Sequence, residues 1–128
     1  MKFYHTTITE RSFEDAISAV TEALKKEGFG VLTNVDIAAK MKEKIGVTMG
    51  RYTILSACNP PLAHKALTLE DKIGVMLPCN VIVRETPEGK VEVASIDPMA
   101  SMAAVGSTSL ISVAEEVSAR LKSVIESI

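Results

Sequence analysis

Hydrophobic and polar positions change period several times along the chain, and each change marks an element. Residues 2–8 alternate weakly and predict an opening strand. Phe13, Ala16, Ile17, Val20 and Leu24 then recur at helical spacing. Ser12 with Asp15 three residues on has the form of a capping box, and Gly28 stands where a helix wants a left-handed residue past its end. Residues 29–35 predict a second strand. Asp36 caps a short helix with Ile37, Met41 and Ile45 as its apolar positions and Gly46 at its end.

Residues 51–58 predict a third strand. Asn59-Pro60 reads as a helix start, because asparagine accepts N–H bonds at the N-cap and proline is preorganised for the first helical position. That helix runs through Pro61-Leu62-Ala63-His64-Lys65-Ala66-Leu67 and ends before Gly74. Residues 75–83 are nearly all apolar, with Asn80 the one clearly polar residue, as in a strand covered on both faces by helices or a partner chain. Pro87-Glu88-Gly89-Lys90 predicts a hairpin turn, residues 91–96 the return strand, and Asp97-Pro98 its end. The uncharged stretch 99–106 is open to a short helix or an ordered loop. Leu110, Val113, Val117, Leu121, Val124 and Ile128 line one face of a closing amphipathic helix, away from Glu115, Glu116, Arg120 and Lys122. The order β-α-β-α-β-α-β-β-α predicts one α+β domain over residues 1–128. Its mostly antiparallel sheet has four to five strands, with helices packed on one face.

Composition narrows the partners. The net charge is −2 and no basic block exceeds Lys25-Lys26, which leaves no electrostatic footprint for nucleic acid. Only 4% of residues are aromatic and tryptophan is absent, so no base-stacking platform is expected. No apolar run approaches the roughly 20 residues of a membrane span, so no membrane partner is expected. The N-terminus turns polar within a few residues, unlike a signal peptide, which points to the cytoplasm, where thiols stay reduced. Hydrophobic residues make up 47% of a small chain. Residues 75–83 and 99–105 offer more apolar surface than one layer of helices covers, so a homodimer is expected.

Chemistry concentrates in the two cysteines, each followed by asparagine and flanked by proline: Ala57-Cys58-Asn59-Pro60-Pro61 and Pro78-Cys79-Asn80-Val81. Cys58 ends a strand just before a helix N-terminus, whose unpaired N–H groups and dipole favour anions and lower a thiol pKa. Pro78 cannot donate a ladder bond, so the strand is interrupted, bulged or at an edge there, which would aim Cys79 towards Cys58. Apolar burial would instead raise the Cys79 thiol and leave it inert. Asn80, as a buried carboxamide, needs partners, in the backbone around Asn59-Pro60 or in a ligand. His64 lies about one turn inside the helix and leans back towards its start, within reach of Cys58.

Cys58, Asn59, His64, Cys79 and Asn80 are therefore the candidate ligand-binding set, for a soft metal ion or a small anionic or thiol-reactive molecule. Cys58, Cys79 and His64 are the candidate metal ligands. One rival reading is an enzyme with Cys58 as nucleophile and His64 as base. Another is a purely structural role for the repeated Cys-Asn units. His5 reads as a surface residue, and Met76, Met99 and Met102 as core or interface filler. Gly-rich phosphate motifs are absent, the carboxylates are dispersed, and no cofactor is indicated.

Residues 28–97 resemble the family catalogued as domain of unknown function 302. The likeness rests on Gly28-Phe29-Gly30-Val31-Leu32-Thr33, on Ile37 to Gly46 with its Met-Lys-Glu-Lys core, and on Tyr52-Thr53-Ile54-Leu55 running into Ala57-Cys58-Asn59-Pro60-Pro61-Leu62-Ala63. It ends with Gly74 through Leu77-Pro78-Cys79-Asn80-Val81, and the Cys-Asn-Pro and Pro-Cys-Asn segments are its specific part. The resemblance implies a small bacterial or archaeal α+β domain that tends to form homodimers. It brings no established activity.

Overall fold

The computed structural model describes residues 2–128. Its elements run β1 (Tyr4–Thr9), α1 (Phe13–Lys26), β2 (Gly30–Asp36), α2 (Ile37–Ile45), β3 (Tyr52–Cys58), α3 (Pro60–Leu69), a 3₁₀ turn (Ile73–Met76), β4 (Cys79–Glu85), β5 (Val91–Ile96), α4 (Pro98–Met102) and α5 (Thr108–Glu126). The strands form one sheet in the order β1-β5-β4-β3-β2, and every neighbouring pair is antiparallel. The molecule is thus a single α+β domain. The first two strands occupy opposite edges, and α1 crosses between them.

Local signals set the helix ends. The Ser12 hydroxyl accepts the Asp15 N–H at 3.1 Å to start α1. At the other end Phe29 N–H reaches Leu24 C=O at 2.9 Å and Gly28 N–H reaches Lys25 C=O at 3.0 Å, a Schellman closure. Its glycine has φ +86°, and its hydrophobic contact joins the buried Phe29 and Leu24. Asp36, Asn59 and Ser107 cap α2, α3 and α5 in the same side-chain-to-backbone manner.

Alternation along the strands decides which face is covered. Leu55 and Ala57 of β3, Val81 and Val83 of β4, and Val91 and Val93 of β5 are buried on one side. Against them lie Val20 and Leu24 of α1 and Leu110, Val113, Val117, Leu121 and Val124 of α5. The apolar positions expected from helical spacing in α1 and α5 are these core residues, apart from the half-buried Ile17 and Ile128. On the other face Tyr52, Ile54, Ile82 and Ile96 are only half-buried, and Asn80 is exposed.

The stretch 75–83 is not one doubly covered strand. Its first residues form the 3₁₀ turn, where Val75 is 88% exposed, and β4 begins only at Cys79. Pro78 has no N–H for a ladder, so pairing starts directly after it. From there the strand alternates, with Val81 and Val83 inward and Asn80 outward, as expected of a sheet covered on one side. The open stretch after Asp97 contains the short helix α4.

Candidate functional site

Between α3, the 3₁₀ turn, α4, α5 and the ends of β2–β4 lies a cavity of about 280 Å³. It holds about nine atoms of liquid-like size, taking roughly 30 Å³ as the share of one water. Phe29, Leu62, Leu77, Met102, Val113 and Val117 supply much of its wall. Cys58, Asn59 and Cys79 line it too, and Asn59 is the one lining residue whose side chain carries nitrogen or oxygen.

Asn59 offers that cavity little. It is 7% exposed, and both ends of its amide are engaged. Its Oδ1 accepts the Leu62 N–H at 3.3 Å, and its Nδ2 donates to the Glu27 carbonyl at 3.3 Å. Arg120 Nη1 donates to the same carbonyl at 3.0 Å, so the end of α1, the start of α3 and the middle of α5 meet at one oxygen. Gly28 is required beside it: an added Cβ would lie 2.9 Å from Asn59 Nδ2, on a backbone with positive φ.

The helix N-terminus differs from the sequence expectation. The first two helical residues, Pro60 and Pro61, have no N–H, the Leu62 N–H is held by Asn59 Oδ1, and the Ala63 N–H by the Asn59 carbonyl at 2.8 Å. No free donor remains in that first turn for an anion, because the prolines that start the helix also remove its orphan N–H groups.

Both cysteines are among the residues that line the cavity. Cys79 pairs with Ala57 in the ladder, so Cys58 is the next residue along the adjacent strand, and both are free thiols. Burial, then the neighbouring Cys58, pushes the Cys79 thiol up to about 11. A thiol so raised is almost wholly protonated near neutral pH.

The other sequence candidates are elsewhere. On α3 the cavity side carries Leu62, Ala63, Ala66 and Leu67, and at 3.6 residues per turn His64 falls on the opposite, exposed side. Among the described residues no three His, Cys, Asp or Glu side chains gather to hold a metal ion. The Cys58, Cys79 and His64 metal set is therefore not assembled, and His64 does not line the cavity that Cys58 lines. Asn80 was expected to be buried. It is exposed on the far face of the sheet, where it meets only the Ser56 hydroxyl at 3.2 Å, because one step along a strand reverses the side chain.

His5 is likewise not a simple surface residue. Its Nε2 lies 3.2 Å from Ser118 Oγ and 3.8 Å from Asp97 Oδ2, while Ser118 Oγ donates to Asp97 Oδ1 at 2.8 Å. One ring nitrogen faces both partners and the serine proton goes to the carboxylate. This is not the relay in which imidazole separates nucleophile from acid. None of the three lines the cavity, and the cluster joins β1, α4 and α5. Positions 5, 97 and 118 share no spacing that a sequence pattern would reveal.

The family model "Domain of unknown function DUF302" matches residues 4–128. The crystal structure of an uncharacterized conserved DUF302 protein from Bacillus stearothermophilus superposes with a TM-score of 0.93 at 26% identity, covering 99% of this chain and 98% of that one. No curated protein matches the chain.

Asn59→Ala removes a cap and one of the two donors at the Glu27 carbonyl, and is expected to cost about 1–2 kcal/mol in urea unfolding. Asn80→Ala, at an exposed site, is expected to stay within about 0.5 kcal/mol. Equal losses would refute this ordering. Cys79 gives a second measurement. Its pKa is raised from 9.0 to about 11 in the folded state, so the folded chain keeps a proton that the unfolded chain gives up. The resulting stability is complete below pH 9 and disappears as pH passes 11. The wild type minus Cys79→Ala difference should therefore fall by about 2–3 kcal/mol across that window. A flat difference would contradict burial of the thiol.

Proposed function

This chain belongs to the DUF302 family, and from that premise we propose that it is a small binding protein taking a compact, uncharged, largely apolar molecule beside Cys58 and Cys79. The observation that carries the reading is the cavity's wall of hydrocarbon and sulfur, with its one amide side chain already bonded at both ends. An anion or an exposed polar group entering there would lose its hydration without finding donors. Burying apolar ligand surface is favoured by roughly 25 cal/mol per Å². The binding set is then Cys58, Asn59 and Cys79, with Asn59 positioning the wall rather than touching ligand through a free group.

The second element of the proposal is a homodimer through the uncovered face of the sheet. Tyr4, Tyr52, Ile82 and Ile96 border a shallow depression there, with Phe3 at its rim 66% exposed. Arg84 and Glu92 pair across it at 2.6 Å, neutralising the charge at its centre. A second copy brings the same apolar surface to a two-fold contact, as an isologous interface requires.

Naphthalene, an uncharged probe of ten carbons, should shift the methyl resonances of Leu62, Met102 and Val113 on titration. Ala63→Leu, which narrows the cavity, should weaken it at least about tenfold, as a loss of more than 1.4 kcal/mol would. Shifts spread over the whole surface, or none, would remove the cavity reading. Sedimentation at micromolar concentration should give twice the 13.7 kDa chain mass, and Ile82→Lys should return the single chain. A wild type that sediments at 13.7 kDa would refute the dimer.

A further inference from the structure

Residues 37–51 gather cations around an exposed apolar tip. They hold four basic side chains and one acid, in a chain with 14 basic and 16 acidic residues. At 3.6 residues per turn, Ile37, Met41 and Ile45 form one stripe along α2, with Lys44 and Lys42 at its two borders and Glu43 opposite. No residue of α2 is buried. Ile37 and Met41 are half-buried, and the stripe emerges at the helix end, where Ile45 is 67% exposed. Beyond Gly46, Val47 and Met49 are exposed as well. Lys42 leans along this tip, its Nζ 3.3 Å from Thr48 Oγ1. Among the described residues Lys42 and Lys44 enter no ion pair, and Lys40 meets only Glu43, at 3.7 Å. The other acids in contact with the segment sit at its base, Asp36 as the cap of α2 and Glu14 and Glu85 beside Arg51.

We propose that residues 45–49, with the lysines of α2, dock on the surface of an anionic lipid bilayer. Ile45, Val47 and Met49 enter the hydrocarbon boundary, and Lys40, Lys42 and Lys44 lie at the level of the headgroup phosphates. The charges are complementary, and an apolar tip ringed by cations satisfies both layers of such a membrane. The exposed Leu69 and Val75 lack this match, because Glu70 and Asp71 lie between them in the chain. A fluid bilayer also needs no pocket shaped to the tip, which a protein partner would. The expectation of no membrane partner rested on the lack of a spanning run, and a surface contact does not require one. None of residues 37–51 lines the cavity, so this docking is independent of the binding reading above.

Vesicles of equal parts phosphatidylcholine and phosphatidylglycerol are the probe. At low salt they should carry the chain down on centrifugation, and vesicles of phosphatidylcholine alone should leave it in solution. High salt should weaken the association, since exposed charges are screened. Lys42→Gln combined with Lys44→Gln should cost about 25-fold in affinity, at about fivefold per lysine. Ile45→Asp should cost at least about tenfold. Val75→Asp and Lys25→Gln, exposed elsewhere, should change it by less than about twofold. The chain has no tryptophan, so Val47→Trp supplies a single reporter. Its emission should shift to the blue on adding anionic vesicles and be quenched by lipids with brominated chains. Absence of sedimentation with anionic vesicles would overturn the proposal, including the case in which the tip binds an acidic protein instead. Equal binding to both vesicle types would overturn it too, as would a Val75→Asp loss as large as that of Ile45→Asp. Binding that needs the lysines but not Ile45, with no shift in tryptophan emission, would mean adventitious charge attraction and refute the docking tip.

Discussion

The Glu27 carbonyl is the point on which the arrangement around the cavity depends. It lies just past the last turn of α1, where carbonyls have no partner within the helix, and it draws in Asn59 from α3 and Arg120 from α5. The arginine places its charge at the negative end of α1, a favourable position for a cation. Gly28 allows this approach by having no Cβ where the Asn59 amide sits. Because Asn59 also caps α3, the residue that starts one helix fixes the end of another.

That junction leaves its neighbour as apolar as it is. A helix N-terminus beside a cysteine ordinarily offers N–H groups and a favourable field for a thiolate. Here proline occupies the first two helical positions, and Asn59 takes the next two N–H groups through its side chain and carbonyl. The same prolines that make the helix start clean remove its capacity to hold an anion. The space bounded by α3, α4 and α5 is therefore lined by hydrocarbon and sulfur, with no free side-chain donor.

The sheet divides its roles between its faces. One face is covered by α1 and α5 and supplies the core. The other keeps half-buried tyrosine and isoleucine side chains around the Arg84–Glu92 pair. Alternation along β4 puts Cys79 on the first and Asn80 on the second, so the repeated Cys-Asn unit is split between them. In Cys58-Asn59 the cysteine is the last residue of β3 and the asparagine caps α3, and both residues line the cavity. Two identical dipeptides thus have different surroundings because one lies inside a strand and the other at its end.

Elements were legible in the sequence because their causes are local. Helical spacing from Phe13 to Leu24 and from Leu110 to Ile128, the caps at Ser12, Asp36 and Asn59, the glycine stops and the hairpin turn each depend on residues a few positions apart. From them followed the α+β class, one domain, and a sheet with helices on one face. Long-range placement had no such signal. Which strand takes the centre, whether His64 faces Cys58, and that His5, Asp97 and Ser118 meet are set by packing between elements far apart in the chain. The apolar run 75–83 misled for the same reason: composition records that residues are hydrophobic, but only the end of α3 and the missing N–H of Pro78 decide that it divides into a 3₁₀ turn and an alternating strand. The sequence by itself determined most of the elements and put Cys58 at a strand end, with Cys79 inside an apolar run beside Pro78. The tertiary structure decided that they share one apolar cavity, because antiparallel pairing of β3 with β4 brings the end of one strand to the start of the other.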